Sequence, residues 1–123
     1  MSAPATDSPD VLVACLCAGW CGTCKSYTDT FRELASRFDG RVRFRWIDIE
    51  DEAELVDDVD VENFPTLLVS RGESVRFFGT VTPHLRTAEA MVERALADAL
   101  PPLADAQAQA LGSRVRAQGD GDA

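Results

Sequence analysis

A chain of 123 residues, 46% of them apolar and 27% charged, fits one compact domain, well below the ~250 residues at which cores split. Twelve basic residues against 21 acidic ones leave a net charge of −9. That excess repels phosphate backbones and anionic lipid, so neither nucleic acid nor a membrane surface is an expected partner. The longest apolar stretch, Val11 to Trp20, falls short of the ~20 residues of a membrane-spanning helix.

Residues 1–10, MSAPATDSPD, lack a basic n-region and an apolar h-region, so they read as a disordered N-terminus without a secretory signal. A cytoplasmic location is expected. All four cysteines lie between positions 15 and 24. A disulfide framework staples distant segments, and cysteines crowded this closely point instead to chemistry or to a metal.

Val11 to Cys17 (VLVACLC) is a continuous apolar run, as a central strand buried on both faces would be. From Cys21 onward, Tyr27, Phe31, Leu34, Ala35 and Phe38 recur at helical spacing until Asp39-Gly40. Val42 to Ile49 alternates as a second strand, and the three pieces form a βαβ unit with parallel strands. The acidic stretch Glu50 to Glu62 holds a short helix around Glu52 to Asp58. It reads as a solvated face able to steer basic partners.

Thr66 to Ser70 and Ser74 to Phe78, joined by Arg71-Gly72-Glu73, read as a hairpin. Thr82-Pro83 signals a helix start, and Leu85, Ala88, Met91, Val92, Ala95, Leu96 and Ala99 form its apolar stripe, closed by Pro101-Pro102. His84 then falls in the first turn and carries no expected role. The domain thus covers 11–100, and 101–123, poor in large apolar residues, reads as a flexible tail. This order predicts an α/β fold: a minimal four-stranded mixed sheet, order 2-1-3-4, with helices on both faces. The last two strands are expected to run antiparallel to the first.

Trp20-Cys21-Gly22-Thr23-Cys24-Lys25 lies where the buried strand turns into the first helix. Cys21 then sits at the helix N-terminus, where unpaired N–H groups and the dipole favour a thiolate. Cys24 lies one turn deeper. Two thiols so spaced can close a disulfide, the outer one attacking a substrate and the inner one resolving the mixed disulfide. Half of a zinc site is the competing reading. Nothing after Cys24 supplies a second pair of sulfur ligands, and His84 is the only histidine. Phe64-Pro65-Thr66, just before a strand, would present a free backbone edge to a substrate peptide if its proline were cis. Lys25, the only lysine, reads either as a support for thiolate charge or as a solvated surface side chain.

WCGTCK, the segment IDIEDEAEL leading into NFPTLLVSRGE, and Gly79 before the last helix resemble the thioredoxin family across about 11–100. The resemblance implies Cys21 as nucleophile, Cys24 as resolving thiol and Pro65 as a cis proline. Trp20, Gly22, Thr23, Phe64, Thr66 and Gly79 would line the substrate groove. Four departures stand out. The ten residues before the first strand are too few for the family's N-terminal strand and helix, so a minimal outline nearer a glutaredoxin is expected. Thr23 replaces the family's proline, which suggests a more oxidising couple. Cys15 replaces its buried aspartate, which predicts slow resolution, and Cys17 replaces its tryptophan.

Cys15 and Cys17 point to the same face of a strand. They read first as small core residues. The alternatives are a third thiol able to trap Cys24, or a soft-metal cluster C-x-C-x3-C-x2-C. The expected activity is thiol–disulfide exchange, reducing disulfide-containing protein substrates as a monomer without a bound cofactor. A reductase or small thiol would supply the electrons. A thioredoxin-fold binding module with weak turnover, or a metal–thiolate carrier, is the alternative.

Overall fold

The computed structural model describes residues 11–18, 21–38, 40–56, 59, 61 and 63–117. Strand β1 (Val11–Cys17) lies at the centre of a four-stranded sheet of order β2-β1-β3-β4. It is buried along its whole length, which accounts for a run with no polar alternation. β2 (Val42–Asp48) pairs parallel with β1 on one side, placing Cys15 opposite Trp46 and Cys17 opposite Asp48. β3 (Thr66–Arg71) pairs antiparallel on the other side, with Thr66 opposite Leu16.

β4 (Ser74–Thr80) returns antiparallel to β3 through a turn whose Gly72 takes φ +61°. A hairpin partner must reverse direction, so β4 runs with β1. Only β3 opposes the central strand, which corrects the expectation that both would.

The sheet separates two apolar layers. On one face Val11, Val13, Cys15 and Cys17 pack with Cys24, Tyr27, Phe31 and Leu34 of α1 (Gly22–Arg37) and with Ala88, Val92 and Ala95 of α3 (Leu85–Leu96). His84, extended at φ −114°, is the N-cap of α3, so Pro83 precedes the helix and His84 stands outside its first turn. α3 ends at Leu96, short of Ala99. Asp98 takes a left-handed φ of 57°, and its N–H and that of Ala99 close on the carbonyls of Ala95 and Arg94.

Leu12, Ala14, Leu16, Leu68 and Val75 face the other way. The four-residue α2 (Ala53–Val56) covers only part of that face. The rest is covered by α4 (Ala106–Ala117), which burial shows to be docked through Ala108, Leu111, Gly112 and Val115. The expected flexible tail is therefore structural through residue 117. Asp105 caps the helix by accepting the N–H groups of Gln107 and Ala108 at 2.9 and 3.2 Å. The Gln109 side chain accepts the Val75 N–H at 2.8 Å and donates to the carbonyls of Val75 and Leu103. Arg114 donates to the carbonyls of Leu55 and Val56, tying α4 to α2. Among the described residues no helix is long and apolar enough to cross a membrane.

Candidate active site

The site grows from the end of β1. Cys17 closes the strand, and after residues 19 and 20, Cys21 begins α1 as its N-cap. The Cys21 N–H donates to the Ala18 carbonyl at 3.0 Å, and its own carbonyl accepts the Lys25 N–H at 3.2 Å. This fixes the strand-to-helix corner. Its side chain makes no capping hydrogen bond and is partly exposed. Cys15, Cys17 and Cys24 are 0%, 1% and 2% exposed. Cys21 is thus the one cysteine that an incoming molecule can reach directly.

Cys24 sits a turn further on, on the stripe of Tyr27, Phe31 and Leu34 that α1 turns toward the sheet. It is joined there by a disulfide to Cys17, across a Cα–Cα separation of 5.8 Å. Cys21 and Cys15 carry free thiols. In this state the expected Cys21–Cys24 bond is replaced by Cys17–Cys24, and Cys17 is not merely a small core residue. The reason is geometric: the last inward position of β1 lies under the first inward position of α1, at a distance a disulfide spans naturally.

Cys15, two positions back, places its thiol 3.9 Å from the Cys17 sulfur. Burial pushes this thiol far above its ordinary range, so Cys15 stays protonated and is a donor rather than a nucleophile. The four-sulfur metal reading loses Cys17 and Cys24 to their mutual bond. Among the described residues no group of three or more His, Cys, Asp and Glu side chains is arranged to hold a metal ion.

The Tyr27 hydroxyl is buried and has no hydrogen-bond partner among the described residues. Burial, and then the neighbouring Cys15 sulfur, push the phenol up to about 12. The unfolded chain would release that proton near pH ~10. The neutral phenol therefore stabilises the fold fully below that pH, and the contribution is lost as pH rises toward 12. Tyr27 is the only tyrosine, so tyrosinate absorbance reports it alone. The absorbance should appear near pH 12 together with loss of the fold, and a transition near pH ~10 in folded protein would contradict the burial.

The other expected site residues divide into groups. Gly22 and Thr23 are exposed in the first turn of α1, beside Cys21, and Lys25 is exposed one turn on. The Phe64–Pro65 bond is cis. The strand register sets Thr66 opposite Leu16, which brings this segment to the end of β1 from which Cys17 leads toward α1. Phe64 and Cys21 border the same apolar cluster. Pro65 and Thr66 are themselves buried, and the Thr66 hydroxyl donates to the Asn63 carbonyl at 2.6 Å. The Pro65 carbonyl accepts the Val81 N–H at 3.0 Å. Gly79 lies in β4 opposite Leu67, which pairs in turn with Cys15. Trp20 lies outside the described residues.

Thr28, Trp46 and Asp48, which the sequence did not single out, border the site together with Lys25. A cavity of about 140 Å³ opens beside the Cys17–Cys24 bond, lined by Lys25, Thr28, Trp46 and Asp48 among others. The pairing of Cys17 with Asp48 in neighbouring parallel strands accounts for the acid's position. Only the strand alignment, which a single sequence does not display, could have found it.

A family model described as thioredoxin matches residues 4–93. Over 55 residues the chain is 40% identical to thioredoxin H2-1 of Oryza sativa subsp. japonica, covering 45% of this chain and 39% of that protein. Over 56 residues it is 43% identical to the protein disulfide-isomerase MPD1 of Saccharomyces cerevisiae, covering 44% of this chain and 18% of that one. The chain therefore spans well under half the length of both relatives. Among solved structures, the germline-specific thioredoxin Deadhead of Drosophila melanogaster superposes with a TM-score of 0.64 at 22% identity. That match covers 72% of this chain and 83% of that one, and it bears on the fold alone.

Proposed function

The chain belongs to the thioredoxin family, and from that premise we propose that it is a thiol–disulfide oxidoreductase that reduces disulfides in protein substrates. The observation that carries this reading is the contrast between a partly exposed Cys21 at the N-cap of α1 and a buried Cys24 one turn inside. The Cys21 thiolate attacks a substrate disulfide, forming a Cys21–substrate bond and expelling one substrate thiolate. Cys24 then attacks the Cys21 sulfur, closing the intramolecular disulfide and releasing the second substrate thiol. Gly22 and Thr23, exposed beside Cys21, leave room for an extended peptide, and the Phe64–Pro65 segment borders the same cluster. Electrons return from a reductase or small thiol, and the proposed setting is a monomer in the reducing cytoplasm.

Insulin reduction with dithiothreitol as electron source tests the proposal. Turnover above dithiothreitol alone is expected from the wild type, with a loss of roughly 100-fold or more in Cys21→Ser, which removes the attacking sulfur. A second reading, a peptide-capturing module with little turnover, is favoured by the Cys17–Cys24 bond that occupies the resolving thiol. No wild-type turnover above the dithiothreitol background would select it.

A further inference from the structure

We propose that Cys17 is a third redox cysteine, which takes Cys24 from Cys21 after each turnover and leaves the oxidised protein with a free thiol at its surface. Three observations carry this. Cys24 is bonded to Cys17 while Cys21 is free. Cys17 and Cys24 both lie in the apolar layer between the sheet and α1. Their backbone positions, at the last residue of β1 and on the inward stripe of α1, are held by the strand pairing and the helix packing that build the fold.

The step conserves electrons. The Cys17 thiolate attacks the Cys24 sulfur of a Cys21–Cys24 disulfide, the Cys17–Cys24 bond forms, and Cys21 leaves as a thiolate that takes up the proton Cys17 gave. One disulfide breaks and one forms, so no outside oxidant or reductant enters. The exchange moves the bond into the core and the thiol to the one sulfur with solvent access. That direction is favourable, because an ionised thiol costs least where water reaches it. Cys15 does not compete for Cys24, because it lies two positions further back on β1, whereas Cys17 at the end of the strand stands within disulfide reach of Cys24.

The consequence concerns what the oxidised protein does next. With Cys24 tied to Cys17, Cys21 can still attack a second disulfide-containing protein, giving a Cys21–substrate bond and one substrate thiolate, but no resolving thiol is at hand. The oxidised form thus holds its substrate covalently until an outside thiol displaces it from Cys21. The sulfurs of the inner bond are nearly inaccessible, so its reduction runs back through the freed Cys21, which attacks Cys24 and returns the thiol to Cys17, and the outside thiol then reduces the Cys21–Cys24 bond so formed. The inference rests on Cys21 being the nucleophile of the proposed reductase, but its test reads bonds rather than turnover.

The full-length protein is reduced, desalted, oxidised with one equivalent of a peptide disulfide, quenched in acid, alkylated with N-ethylmaleimide after unfolding, and cut with chymotrypsin. Cleavage after Trp20 separates Cys15 and Cys17 from Cys21 and Cys24. The expected product is a cross-linked pair of peptides joined through Cys17 and Cys24, with the alkyl group on Cys21. A peptide closed between Cys21 and Cys24, with Cys17 alkylated, overturns the proposal.

In a native thiol assay the oxidised wild type should show one reactive thiol, and oxidised Cys17→Ala none. Equal counts in the two folded proteins also overturn it, and if the variant does not fold the wild-type map decides alone. Insulin turnover run in parallel keeps the readings apart: absent turnover with a Cys17–Cys24 map refutes the reductase only, and normal turnover with a Cys21–Cys24 map refutes the relay only.

Discussion

A chain ending before Asp105 is expected to lose its cooperative thermal transition and to precipitate. α4 buries Leu111 and Val115 completely, and Leu68 and Val75 of the sheet lie beneath the same cluster. At ~1.5–3 kcal/mol for each large apolar side chain, uncovering four of them costs roughly 6–12 kcal/mol. That matches the ~5–15 kcal/mol by which whole domains are stable. The polar ties add to it, because the Val75 N–H and carbonyl would lose Gln109. Leu111→Ala is the graded version and should cost about 2–5 kcal/mol, lowering Tm by ~10 °C in a calorimetric scan. Gly112→Ala gives an independent check, since a Cβ there would run into the Val75 side chain and should cost ~1–3 kcal/mol. If the shortened chain melts cooperatively within a few degrees of the intact one, α4 is an accessory and the second layer is held by α2 alone.

That helix also marks the limit of what periodicity reveals. β1 could be read from its sequence because a strand buried on both faces must be apolar throughout, and α1 because Tyr27, Phe31 and Leu34 repeat at helical spacing. The hairpin was announced by Gly72. The stripe of α4 is Ala108, Leu111, Gly112 and Val115, and half of it is too small to register as hydrophobic. Small residues serve here because the helix lies close against β4, and Gln109 supplies affinity through backbone hydrogen bonds that no apolar pattern records. The direction of β4 needed only the rule that a hairpin reverses.

The site was legible to the same degree and for the same reasons. A CxxC at a strand-to-helix junction puts one sulfur at the helix N-cap and the next on the inner face, which is where Cys21 and Cys24 stand. Strand alternation places Cys15 and Cys17 on one face of β1, but it does not say which helix crosses that face or at which turn. The bond between Cys17 and Cys24 depends on α1 lying over the end of β1, a fact of tertiary packing. Sequence separation alone makes Cys21 the nearer partner, and burial reverses that order, because Cys24 turns inward with Tyr27 and Phe31 while Cys21 borders solvent. Asp48 and Trp46 border the disulfide through parallel pairing with β1, which likewise appears only once the strands are aligned.

Cys24→Ser is expected to change both chemistry and stability, because Cys24 is the partner in the Cys17–Cys24 bond and in the proposed Cys21–Cys24 bond. With it gone, a substrate disulfide attacked by Cys21 stays as a mixed disulfide. The adduct should be visible by mass spectrometry of acid-quenched protein, and insulin turnover should fall by roughly 100-fold or more. Stability should fall too, by a part that depends on redox state and a part that does not. Losing the bond that closes the loop from Cys17 to Cys24, seven positions apart, costs about 2–3 kcal/mol under oxidising conditions and nothing under reducing ones. The serine hydroxyl, placed where Cys24 is 2% exposed, costs a further ~1–2 kcal/mol in both. Melting the wild type and the variant with and without dithiothreitol separates the two parts, and Cys24→Ala removes the hydroxyl penalty while keeping the trap. Turnover retained in Cys24→Ser, with no adduct, would mean that Cys17 reaches the Cys21–substrate bond directly, and the two-step route through Cys24 would have to be abandoned.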